Sequence, residues 1–189
     1  VVTTTRTKAV LQRLFPRAAA EDANVFAVVD CARDRRIYRE MKRGALAYES
    51  LFSGALSPAL REVAPYLVRL SEDDMFTEYF VEEGWGQAWG ICVAGRATHY
   101  GVRRHLRTLL RVRAAEGRWL LFRYYDPRVL SVFLPTCSPE QLDQMFGPLL
   151  RFDLEGPAGE SLVRFRMGAH LGTRRLERQV HGVTAQGGS

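Results

Sequence analysis

Apolar residues recur along this chain in two rhythms, a helical spacing and short unbroken runs, and their alternation lays out the elements. Val10, Leu11, Leu14 and Phe15 sit at helical spacing within Thr4 to Phe15, so the spacing predicts an opening helix that Pro16 helps to end. Asn24 to Asp30 is a continuous apolar run of the kind a buried strand carries. A charged helix is expected over Asp34 to Lys42, with Ile37, Tyr38 and Met41 inward and Gly44 as its stop. Short strands are expected at Ala47 to Phe52, Tyr66 to Leu70 and Trp89 to Ala94. Between the last two, Ser71 opens an acidic helix with Asp74 three residues on, burying Met75, Phe76, Tyr79 and Phe80 and ending at Gly84.

The second half repeats the scheme. A basic helix from Thr98 to about Leu110 turns Leu106, Leu109 and Leu110 inward and Arg103, Arg104 and Arg107 outward. Glu116-Gly117 marks a hairpin between Arg111 to Ala114 and Trp119 to Tyr125. Ser57-Pro58, Asp126-Pro127 and Ser138-Pro139 each set a capping oxygen before a proline whose missing N–H would have lacked a helical partner anyway. Gln141 completes a capping box at Ser138. Helices over Pro127 to Leu134 and Pro139 to Phe146 then lead to strands at Leu149 to Leu154 and Leu162 to Met167, joined by Gly156-Pro157-Ala158-Gly159. Beyond Gly168 the chain is polar and Gly-rich, and a linker or a flexible or partner-ordered tail is expected. The fold class that follows is α+β: a mixed sheet covered by amphipathic helices, with residues 1–153 as the main domain and 154–189 as a C-terminal hairpin and tail.

Composition narrows the possibilities without naming a reaction. Hydrophobic residues make up 47% of 189, enough for one sizeable core. No stretch approaches the roughly 20 apolar residues needed to cross a bilayer, and Val1 to Pro16 lacks the apolar core of a secretory signal, so a cytoplasmic protein is expected. The net charge of +6 rests almost wholly on arginine, because Lys8 and Lys42 are the only lysines. That bias weakens charge as a pointer to nucleic acid. Cys31, Cys92 and Cys137 are widely spaced and odd in number, which suits buried free thiols in a reducing compartment.

Motifs for chemistry are missing. His99 and His105 are six residues apart, about 600° around a helix, so they leave the shared face that i, i+4 metal ligands need; His170 and His181 have no evident partners. Gly84-Trp85-Gly86-Gln87-Ala88-Trp89-Gly90 looks like a phosphate loop, but it follows an acidic helix and enters a strand, the reverse of the order that aims a helix N-terminus at phosphate. The adjacent pairs Asp73-Asp74 and Glu82-Glu83 point along different helical directions. No catalytic residue, cofactor or metal is therefore expected, and the chain is not expected to be an enzyme. An Arg-rich surface from Arg103 to Arg128 leaves a nucleic-acid-associated module as the alternative function.

Several segments in fixed order nevertheless resemble one family. They are Asp30-Cys31-Ala32-Arg33, Ala64 to Leu70, Gly84 to Gly90, His105-Leu106-Arg107, Leu121 to Leu130, and Phe133-Leu134-Pro135-Thr136 through Phe146-Gly147-Pro148. Over roughly Asn24 to Asp153 the chain is similar to the domain of unknown function 4123 (DUF4123). The resemblance implies a bacterial type VI secretion chaperone, or adaptor, which holds a cognate effector and helps load it on the valine-glycine-repeat (VgrG) spike protein. It carries over no catalytic residues. An adaptor needs an apolar or aromatic contact surface with charged neighbours, for which Trp85, Trp89, Arg123, Tyr124, Tyr125 and Arg128 are the candidates, although residues of these types build a core more often than an interface. Asp126 reads equally as a helix cap, and Arg128 is placed to pair with an acidic residue such as Glu83.

Overall fold

A computed structural model describes residues 3–16, 23–113, 116–170 and 173–183, the side chains of 169, 170 and 173 excepted. The expected Gly187-Gly188-Ser189 tail and the His170 side chain lie outside the described part. The chain runs α1 (Thr5–Leu14), β1 (Asn24–Asp30), α2 (Arg35–Gly44), β2 (Tyr48–Ser50), α3 (Pro58–Arg61), β3 (Pro65–Leu70), α4 (Met75–Gly84) and β4 (Gly90–Gly95). It continues with α5 (His99–Leu109), β5 (Arg111–Arg113), β6 (Trp119–Leu121), α6 (Pro127–Phe133), α7 (Pro139–Phe146), β7 (Leu149–Glu155), β8 (Ser161–His170) and β9 (Thr173–Gly182).

Seven strands form one sheet in the order β2-β3-β1-β4-β7-β8-β9, and β5 with β6 makes a separate two-stranded ribbon. The class is α+β, as expected, but every pairing in the sheet is antiparallel rather than mixed. The reason lies in the crossovers. The connections through α2 and α4 join strands that run the same way, yet each leaves a gap that one oppositely directed strand fills.

Helices cover both faces, and period-2 alternation divides the central strands between them. Val25, Ala27 and Val29 of β1 pack with α1, α2 and α4, whereas Phe26 and Val28 pack with α5, α6 and α7. This is why β1 and β4 read as nearly continuous apolar runs although their sheet is antiparallel. Each large side chain so buried contributes about 1.5–3 kcal/mol.

Local signals place the helices. Asp34, Thr98, Asp126 and Ser138 accept backbone N–H groups as N-caps, and Ser138 with Gln141 forms the complete capping box. Helix α4 departs from expectation. Its cap is Asp74, which accepts the Thr77 N–H at 3.0 Å, and Ser71 instead donates its N–H to the Thr77 hydroxyl. Met75 is consequently exposed, and Thr77 and Val81 join Phe76 and Phe80 inside.

Two further corrections concern the C-terminal third. The polar stretch after Gly168 is strand β9, paired with β8 from Ser161↔Gly182 to His170↔Thr173, so residues beyond 153 continue the sheet. Its polarity fits an outermost strand, where charge discourages unwanted pairing. Beneath α1, moreover, β7 and β8 bury a charged network. Asp153 accepts from Arg151 Nε at 2.8 Å and from Arg164 Nε at 2.6 Å, and both arginines are nearly inaccessible. Each arginine also donates to one of the last carbonyls of α1, Arg151 to Leu14 O and Arg164 to Arg13 O, each at 2.7 Å.

The α5 histidine His105 bonds through Nε2 to the Met145 carbonyl at 2.9 Å, and burial holds its pKa below the ordinary 6.5. A histidine depressed in the folded state binds fewer protons there than when unfolded, so its contribution is present above pH 6.5 and lost as pH falls through the folded value. The urea midpoint is expected to drop on going from pH 7.5 to 5.5, and to drop less in His105→Gln. An identical pH slope in the two proteins would rule this out.

Candidate functional site

Four of the family-like segments, Asp30 to Arg33, Ala64 to Leu70, Gly84 to Gly90 and Leu121 to Leu130, reach one end of the sheet, where β1 and β7 finish and β3 and β4 begin. Gly147 and Pro148 lie at the other end, beside His105 and Gly95. Asp30 closes β1, accepts the Ala32 N–H at 3.1 Å, and pairs with Arg123 at 2.5 Å. Asp126 accepts the Arg128 N–H at 3.0 Å and the Arg128 guanidinium at 2.9 and 2.6 Å. Burial works to raise the Asp126 pKa, but the hydrogen bonds from Arg128 prevail and hold it below the usual range. Arg128 does not pair with Glu83, which lies 3.7 Å from Arg36. Glu155 ends β7 and accepts the N–H groups of Gly86 and Ala88 at 2.7 and 2.8 Å. Burial outweighs these bonds and raises its pKa.

Asp30 and Glu155 therefore each fasten a loop to a strand end, and Asp126 caps α6. Gly86 has φ +93° and its Cα faces the 157–159 turn, so the Gly84–Gly90 segment is a tight, cross-braced helix-to-strand connection. The thiols are quiet: burial, reinforced by Asp30, pushes Cys31 up to about 12, and burial also raises Cys137. Among the described residues no group of three His, Cys, Asp or Glu is placed to hold a metal.

The aromatic part of the expected contact set is core. Trp85 and Trp89 are each 4% exposed, Tyr124 is inaccessible and Tyr125 nearly so. Trp89 packs on Tyr79, and Tyr124 donates its hydroxyl proton to the Leu106 carbonyl at 3.0 Å. These rings build the domain, and a docked partner cannot touch them. Arg123 and Arg128 reach solvent, but each is engaged by a carboxylate.

A different surface has the properties of a contact site. The β5–β6 ribbon exposes all six of its residues, including Trp119 at 60%, Leu120 at 44% and Leu121 at 52%. With Leu51, Phe52, Leu56 and Leu60 from the segment after β2, these side chains wall a groove of about 710 Å³. Arg104 and Arg107 of α5, with Arg111 of β5, line the same groove, and Arg111 lies 5.5 Å over the Trp119 ring. Arg103, assigned to the outer face by sequence, turns back instead to Glu49 and the Ser50 carbonyl.

An isolated two-stranded ribbon is marginal in water, and an exposed apolar patch rimmed by charge is a recognised mark of a protein contact. Sequence reasoning identified the hairpin but overlooked the groove. The available signal was the pairing itself: one face holds the single apolar pair Val112 and Leu120, and Trp119 and Leu121 share the other face with Arg113 and Arg111, so the ribbon cannot bury its own apolar side chains.

Fold and surface together define a helix-covered α+β domain that presents an apolar, arginine-rimmed groove. Over residues 25–144, more than half of its length, the chain matches the family described as Domain of unknown function (DUF4123), and it belongs to that family. The family is associated in general with type VI secretion effector adaptors, which points to a protein partner in secretion. No curated protein and no solved structure gave a significant match. Among the described residues, no helix is long and apolar enough to cross a membrane.

Proposed function

We propose that this chain is a non-catalytic type VI secretion adaptor, which holds a segment of its cognate effector in the β5–β6 groove and helps load that effector on the VgrG spike. The observation that carries the reading is the exposure of Trp119, Leu120 and Leu121 beside an open groove, in a chain whose other tryptophans are buried. Family membership supplies the biological setting. Carboxylates committed to loop bracing or helix capping and thiols held protonated add support for binding rather than catalysis.

The test is co-expression of the tagged chain with its genomic neighbours, followed by size-exclusion chromatography with mass determination. A stoichiometric complex with a neighbouring toxin is expected. Leu121→Asp is expected to weaken it at least 10-fold, the scale of an interface hot spot. Val132→Asp, on the exposed side of α6 and outside the groove lining, is expected to leave it intact. An effector that stays soluble and loads normally without this chain would refute the adaptor reading, and a complex indifferent to Leu121→Asp would remove the groove from it.

A further inference from the structure

We infer that the groove selects an acidic amphipathic helix: a partner segment with apolar side chains on one face and aspartate or glutamate along that face's margin. This deepens the adaptor reading and rests on it only for the claim that the natural occupant is part of an effector. Charge is the first argument. Arg104, Arg107 and Arg111 all line the groove, no Asp or Glu is among its lining residues, and none of the three is in an ion pair with a described residue. Unpaired arginines alone do not single the groove out, since Arg35, Arg96 and Arg178 are also exposed without a carboxylate partner among the described residues; the groove is set apart by three arginines without such a partner beside apolar side chains. The groove is thus a place where apolar surface and uncompensated positive charge coincide.

The walls supply the second argument. They are mostly leucine and aromatic residues, Trp119 and Leu121 on the ribbon with Leu56 and Leu60 on the 51–60 segment, and so favour a partner that brings apolar side chains. A helix delivers three to four apolar side chains per two turns from one face, which suits such a trough. Arg104 and Arg107 are nearly one turn apart on α5, about 4.5 Å along its axis, and carboxylates at i and i+3 or i+4 on a docked helix have matching spacing. Nucleic acid would engage the same arginines, but a wall of leucines offers its phosphates nothing. For stacking on its bases the lining offers Trp119 and a partly buried Phe52.

The protein carries its own reporter. Trp119 is 60% exposed and Trp85 and Trp89 only 4%, so burial of the groove registers mainly in Trp119 fluorescence. The probes are three tryptophan-free 18-residue peptides: one with leucines at helical spacing flanked by glutamate, the same with lysine for glutamate, and a scramble of the acidic one. A saturable blue shift is expected with the acidic peptide, with affinity at least 10-fold above the lysine peptide and the scramble and falling as salt rises. Arg104→Glu/Arg107→Glu is expected to reverse the preference while circular dichroism and melting stay as in the parent. Equal affinity for acidic and lysine peptides, binding of neither, or tighter binding of a single-stranded DNA oligonucleotide than of the acidic peptide would each overturn the inference. Should the co-expressed effector complex survive Arg104→Glu/Arg107→Glu unchanged, the charge selection fails and the adaptor reading stands. If acidic selectivity holds but no neighbour forms a complex, the adaptor reading fails alone.

Discussion

Asp153→Ala is expected to lower the unfolding free energy by about 3–5 kcal/mol, the cost of removing one partner from a buried ion pair. Asp153 lies between the guanidiniums of Arg151 and Arg164, and all three residues are largely or wholly inaccessible. Deleting the carboxylate takes the charged partner from Arg164, which is 7% exposed, and one of its partners from Arg151. The damage spreads beyond the sheet, because the same arginines donate to the Leu14 and Arg13 carbonyls that close α1. Urea denaturation measures the loss, and faster hydrogen exchange in α1 than in the parent protein identifies its route. A loss under about 1 kcal/mol with unchanged α1 exchange would show that the site relaxes and admits solvent.

That network illustrates which features were legible in the sequence. Leu149 to Leu154 was readable as a strand, and its alternation of Leu, Phe and Leu with Arg and Asp signalled two unlike faces. Alternation does not say what lies over the polar face, and the natural assumption of water is wrong because α1 covers it. Caps were legible because they are local: Asp126 needs only Arg128 two residues on, and Ser138 and Gln141 need only each other. At α4 two capping residues competed three positions apart, and Asp74 prevailed with its stronger charged acceptor.

The contact site was least legible, for a related reason. Trp85, Trp89, Tyr124 and Tyr125 stood out by residue type, but a ring's type does not distinguish core from interface, and the packing of α4 and α5 decides for core. Trp119 differs only in the smallness of its supporting element, three residues paired to three. Strand β9 was missed because its two neighbours are unequal: β8 on one side, and on the other no described strand. Such a strand shows little of the apolar signature that marks β1.

Gly90→Ala should be the other severe substitution, costing about 3 kcal/mol and more than the roughly 1–2 kcal/mol expected of Gly54→Ala. At Gly54 the penalty comes from conformation alone, since φ is +78° and nothing lies within 4 Å of an added methyl group. At Gly90 the obstacle is backbone: a Cβ would lie 2.1 Å from the Val28 carbonyl oxygen and 3.1 Å from the Val29 Cα. Strand β1 cannot yield, because β3 holds its other side from Val25↔Leu70 to Asp30↔Pro65. The β1–β4 ladder must open near Gly90 instead, and this is the end of the sheet where Asp30 anchors Arg123. Arg123 follows the ribbon by two residues, and Phe122 between them donates its N–H to the Leu110 carbonyl at 2.8 Å. Thermal denaturation of Gly90→Ala and Gly54→Ala separates backbone collision from conformational strain. In the first variant, Trp119 fluorescence should change well below the global transition, since loosening the Asp30 end frees the ribbon before the rest of the sheet. Equal melting temperatures for the two variants, or a Trp119 signal that moves only with global unfolding, would mean that the groove does not depend on this end of the sheet for its shape.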